Sequence, residues 1–105
     1  MEPERSLEEL REEIRQATVE IIRLTGERLS LAKKIGKLKR KMGMPIEDVK
    51  AEEELRRLAL EKCQAYGLDR RFGLKLLNLL IDESKRVQRE WEVKTGNHWK
   101  TLLHP

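Results

Sequence analysis

The sequence predicts an all-α chain of three helices, the first of them very long. Three observations carry that prediction. Charged residues make up 40% of the chain and aromatic residues only 4%, and the β-branched and aromatic runs that build strands are few. Apolar or small residues recur at steps of three and four over five heptads near the N-terminus. Capping and stop residues divide the remainder into two further helical segments.

Ser6 and Glu9 form a capping box that opens the first helix. Its seam runs through Leu7, Leu10, Ile14, Ala17, Ile21, Leu24, Leu31, Ile35, Leu38 and Met42, and no proline interrupts it before Pro45. Gly26 and Gly36 each weaken the helix by about 1 kcal/mol relative to alanine, and a glycine also permits close approach of another element. The helix covers roughly 36 residues, or ~54 Å. A compact domain of this size has a radius of gyration of only ~13 Å. The helix therefore projects beyond its own two partners, and its protruding stripe calls for a second chain. A symmetric dimer is the commonest solution.

Gly43 to Glu47 form the first loop, with Pro45 as the breaker. Asp48 caps a second helix that runs to about Tyr66, with an inner stripe of Val49, Leu55, Leu58, Ala59, Cys63 and Tyr66, and Gly67 stops it. Asp69 caps a third helix carrying Phe72, Leu76, Leu77, Leu80, Ile81, Val87 and Trp91. Residues 1–92 read as one helical domain, and 93–105, with Gly96, His98, Trp99 and a terminal proline, as a tail of unknown role.

Composition limits the function. The net charge of +4 is modest and the signs are interspersed, so no nucleic-acid partner is expected. The basic run from Lys33 to Lys41 reads as a solvated face, and a nucleic-acid-binding helical dimer is the rival it leaves open. The acidic, polar N-terminus has no apolar signal core, and no run approaches the ~20 residues of a membrane span. The single Cys63 forms no internal disulfide, and a cytoplasmic protein is expected. One cysteine and the tail residues His98 and His104 make a poor metal set, and no glycine-rich phosphate loop or nucleophile–base pair is visible. An enzyme with these residues works by electrostatics and positioning, not by covalent or metal chemistry.

The informative residues are polar groups in apolar places. Arg28 stands in the seam between Leu24 and Leu31. A buried guanidinium without a partner costs several kcal/mol, so an anion should meet it. A carboxylate across the dimer and a bound ligand both satisfy that need. Lys39 points near the same side, ~16 Å further along, and Arg11 flanks the seam ~25 Å away, within reach only from a partner chain. Glu52 lies between Val49 and Leu55 on the second helix. Ser84 and Gln88, one turn apart, continue the line of Leu77 and Leu80 on the third. They either bond local backbone or join the cations in a bundle-interior pocket.

These residues carry a family resemblance. The segment from Leu10 and Arg11 through Ile21, Glu27, Arg28, Leu31, Ala32 and Ile35 to Lys39 resembles the first helix of the all-helical chorismate mutases. Pro45 to Asp48 with Glu52 resembles that family's loop and second-helix start, and Leu80 to Ser84 with Gln88 its third helix. The resemblance spans about Leu7 to Trp91 without a gap. It implies an intertwined homodimeric helical bundle with two sites, no cofactor, and rearrangement of chorismate to prephenate on the way to phenylalanine and tyrosine. It further implies that Arg28, and Arg11 from the partner chain, bind the substrate carboxylates. Lys39 would contact a carboxylate and the ether oxygen, and Gln88 that same oxygen. Glu52 and the Asp48 amide would hold the ring hydroxyl, and Ser84 would add a carboxylate contact. Isochorismate pyruvate lyase shares the fold and most of these positions, and Glu52 favours the mutase. One position departs: the family often carries an arginine directly before that glutamate, where Ala51 stands here. Lys50 is adjacent, but one residue turns a helical side chain by ~100°.

Overall fold

The computed structural model describes the backbone of residues 4–103 and the side chains of residues 4–90. Three helices account for it: α1 (Leu7–Met42), α2 (Val49–Ala65) and α3 (Arg70–Leu103). No strand occurs among the described residues.

The helix ends follow local chemistry. Ser6 Oγ accepts from the Glu9 amide at 3.1 Å, and the Asp48 and Asp69 carboxylates accept from the Ala51 and Phe72 amides at 3.1 and 3.0 Å. Gly43 ends α1 in the left-handed region at φ 66°, where its amide and that of Met44 close the last turn. One expectation changes. α3 does not stop near Trp91 but continues as helix to Leu103. Nothing between them breaks it: Gly96 costs only ~1 kcal/mol and the first proline comes at Pro105. The side chains of Trp91, His98, Trp99 and His104 lie outside the described residues.

Both α1 and α2 pack on α3, and they do not pack on each other. A cleft therefore runs between them with α3 as its floor. The chain is elongated, with a Cα radius of gyration of 19.3 Å.

The face α1 turns to α3 is not the apolar seam. It is the neighbouring row of Arg28, Ala32, Gly36 and Lys39, of which Ala32 and Gly36 are buried. Small residues let the helix axes approach. The seam residues stay open: Leu10 is 43% exposed, Ile14 66%, Leu24 51% and Leu31 57%. Val49, Leu58 and Tyr66 of α2 are open as well. The core within one chain reduces to Ala32, Cys63, Leu77, Ile81 and Val87, with the Gln88 side chain buried among them.

The α2–α3 contact is close at one point. A Cβ built on Gly73 would lie 2.1 Å from Cys63 Sγ. Gly73→Ala is expected to destabilise the fold by ~1–3 kcal/mol through overpacking. The Cys63→Ala/Gly73→Ala pair should recover most of that loss, as denaturant midpoints would report.

Candidate active site

The cleft between α1 and α2 contains a cavity of about 380 Å³, within the ~300–1,000 Å³ range of small-molecule sites. Its wall includes Arg28, Lys39, Asp48, Glu52, Ser84 and Gln88, together with the apolar Leu31, Ile35, Leu55 and Ile81. Six of the seven site residues expected from the sequence thus converge on one space. They arrive from three helices and one loop.

Arg28 reaches across from α1 to α3. Its Nη1 donates to the Leu80 carbonyl at 2.8 Å and to Ser84 Oγ. Ser84 Oγ in turn donates to the same carbonyl at 2.9 Å, which fixes the hydroxyl one turn along α3. These acceptors are neutral. Among the ion pairs of the described residues none includes Arg28, so no described carboxylate of its own chain meets it. Burial alone pushes the guanidinium pKa below its ordinary value. The site holds a desolvated positive charge that pairs with no anion among the described residues.

Lys39 Nζ donates to the Ile46 carbonyl at 2.7 Å, which leaves two of its three N–H groups for other acceptors. The bond also ties the α1–α2 loop to α1. Asp48 follows in that loop as the N-cap of α2 and lines the cavity. Gln88 is only 7% exposed, and its Oε1 is buried with no hydrogen-bond partner. A buried amide oxygen without a partner costs ~1–3 kcal/mol, and such an exception in a native core calls for a functional or solvent partner. Gly36 makes this placement possible. A Cβ there would stand 3.0 Å from Gln88 Cγ and 3.3 Å from Gln88 Cβ.

Glu52 is half-buried and carries its own cation. Lys85 Nζ lies 2.6 Å from Glu52 Oε1 and 3.0 Å from Glu47 Oε1, and Arg56 lies 3.9 Å from Glu52 Oε2. The two carboxylates hold the Lys85 ammonium pKa above its ordinary value. Sequence reasoning missed Lys85, although it too lines the cavity. Its position next to Ser84 was a signal only once α2 had been placed beside α3.

Arg11 is the seventh expected residue, and this chain does not bring it to the cavity. It sits on the exposed N-terminal half of α1, 4.0 Å from Glu8.

The arrangement is cationic at Arg28 and Lys39, amide-bearing at Gln88, and carboxylate-bearing at Glu52, with apolar walls between. That lining suits a small anionic molecule with further hydrogen-bonding groups. The family model of type II chorismate mutases matches residues 10–89. The chain belongs to the type II chorismate mutase family. All the residues that build the cavity lie inside the matched span. The chorismate mutase of Methanocaldococcus jannaschii is 31% identical over 91 residues, which cover 87% of this chain and 92% of that protein. Membership also places the chain among the isomerases. No group of metal-ligating side chains occurs among the described residues, and no described helix is long and apolar enough to cross a membrane.

Proposed function

We propose that this protein rearranges chorismate to prephenate by binding the dianion in the α1–α2 cleft and stabilising charge on its ether oxygen. The observation that carries the reading is the convergence of six polar residues on one cavity around an uncompensated Arg28.

The reaction is pericyclic, so no proton or nucleophile need be supplied. One carbon–oxygen bond breaks while a carbon–carbon bond forms, and negative charge grows on the ether oxygen in between. Lys39 and Gln88 are the donors assigned to that oxygen. A fixed donor in a water-poor site is worth ~3–4 kcal/mol at such a point. The Gln88 amide presents its Nε2 to the ether oxygen once its terminal torsion is turned, and the buried Oε1 without a hydrogen-bond partner supports a polar group reserved for a ligand at that point.

Arg28 takes one substrate carboxylate and Ser84 adds a hydroxyl contact to it. Glu52 and the Asp48 amide hold the ring hydroxyl as acceptor and donor. The apolar side chains of Leu31, Ile35, Leu55 and Ile81 press the enolpyruvyl arm over the ring, which removes much of the entropic barrier.

The second carboxylate is assigned to Arg11 of a partner chain in a homodimer. The open seam supports the dimer, because a stripe of large apolar residues from Leu7 to Met42 is too extensive for a monomer's surface. The same stripe borders the cleft at Leu31 and Ile35, so a partner helix laid on it would close the cavity on that side.

Purified protein should form prephenate from chorismate with no added metal or cofactor, and isochorismate should be a poor substrate. Exclusive formation of pyruvate and salicylate from isochorismate would overturn the assignment.

A further inference from the structure

We propose that Lys85 is a positioning residue that holds Glu52 in place and cancels its charge against the dianionic substrate. The proposal rests on the reading of Glu52 and the Asp48 amide as the ring-hydroxyl site.

Three observations support it. First, the Lys85 ammonium bridges two elements, with Glu52 Oε1 on α2 at 2.6 Å and Glu47 Oε1 in the preceding loop at 3.0 Å. Glu47 directly precedes Asp48, so one cation ties down both halves of the hydroxyl site. Second, the Lys85 and Glu52 side chains are 17% and 15% exposed, at the cavity wall and not on a solvated face. A pair so placed is weakly screened by salt and fixes its partners' geometry. Third, the α2 wall brings no cation of its own beside Glu52 at position 51, since Ala51 offers the cavity only a methyl group. Arg56 is a looser neighbour at 3.9 Å.

The charge argument is direct. A dianion entering the cleft meets Arg28 and Lys39, which attract it, and Glu52, which repels it. With Lys85 in contact, Glu52 remains a hydrogen-bond acceptor for the hydroxyl and loses most of its field. Without Lys85, the carboxylate is free to swing toward Arg56 and opposes the substrate with a full charge.

A double-mutant cycle tests this on the intact chain. Steady-state kinetics with chorismate are measured for wild type, Lys85→Met, Lys85→Arg, Glu52→Gln and Lys85→Met/Glu52→Gln, with thermal melts as a check on folding. Lys85→Met should lower kcat/KM by ~10- to 50-fold, largely through KM, and Lys85→Arg should stay within ~5-fold of wild type. In the Glu52→Gln background the Lys85→Met change should cost less than ~3-fold, because its target is gone. A purely structural salt bridge would move the melting temperature and leave this coupling absent. Equal losses in both backgrounds, or a folded Lys85→Met enzyme within ~3-fold of wild type, would overturn the proposal. A Glu52→Ala enzyme, measured alongside, that is as active as wild type would remove Glu52 from the hydroxyl site and the Lys85 role with it. Absence of prephenate formation by the wild type would instead sink the functional reading itself. If Lys85→Met does not fold, Lys85→Gln takes its place in the same cycle.

Discussion

Arg28→Ala is expected to lower kcat/KM for chorismate by at least ~100-fold while leaving the fold intact. The two halves of that expectation have one cause. Arg28 is desolvated by its place between α1 and α3, and its acceptors, the Leu80 carbonyl and Ser84 Oγ, are neutral. Its positive charge is therefore a net cost to the empty fold and a gain only when an anion arrives. Removing it leaves little unsatisfied, since Ser84 Oγ still donates to the Leu80 carbonyl at 2.9 Å. The melting temperature should be unchanged or slightly raised, as when an active site trades stability for function. The substrate carboxylate, by contrast, loses a forked cation that burial has already partly desolvated. A ~100-fold loss corresponds to ~2.7 kcal/mol, within the range for truncating one member of a buried charge pair. Arg28→Lys should recover little, because an ammonium cannot keep one donor on the Leu80 carbonyl and present a planar fork to a carboxylate. A fully active Arg28→Ala enzyme would remove the electrostatic mechanism. A rise in melting temperature together with lost prephenate formation would support it strongly.

Mixing two inactive variants should restore activity. Arg11 lies ~25 Å from Arg28 along the same helix, too far to share a substrate within one chain. In the proposed dimer each site takes Arg28 from one chain and Arg11 from the other. Arg11→Ala and Arg28→Ala should each be impaired as homodimers. Random reassociation makes half of the dimers mixed, and each mixed dimer has one site with both arginines and one with neither. About a quarter of the wild-type site count should therefore return. The measurement is prephenate formation before and after the two proteins are denatured, mixed and refolded. Sedimentation or light scattering would report the dimer in parallel. Recovery to no more than the mean of the two separate activities would place Arg11 outside the site.

Much of the fold is legible in the sequence because it is set locally. Ser6, Asp48 and Asp69 cap their helices through bonds to amides three residues on, and Gly43 stops α1 by its own backbone conformation. Such contacts involve neighbours in the chain and survive any tertiary arrangement. The end of α3 was less legible for the same reason, since no cap or proline marks a stop near Trp91. The candidate site was legible through family resemblance: residues spread from Arg28 to Gln88 stand at the separations that the family shares.

The α1–α3 face followed a different rule. The heptad pattern locates the long apolar seam but does not say which neighbour covers it. Within the chain α3 takes the adjacent row, because Ala32 and Gly36 allow an approach that leucine or isoleucine would block. Arg28 sits at the edge of both faces, which is why periodicity alone put it in the seam.

The sequence by itself determined three helices and their caps, which are properties of residue type and helical spacing. The company of Arg28 with Lys39, Glu52, Ser84 and Gln88 was an expectation of the family resemblance. Only the tertiary structure decided that α1 and α2 stand apart over α3, that Gly36 admits Gln88, and that Lys85 reaches Glu52 and Glu47. Each of these concerns the distance between segments far apart in the chain. Such distances depend on how the helices are placed in space, which no spacing along one helix encodes.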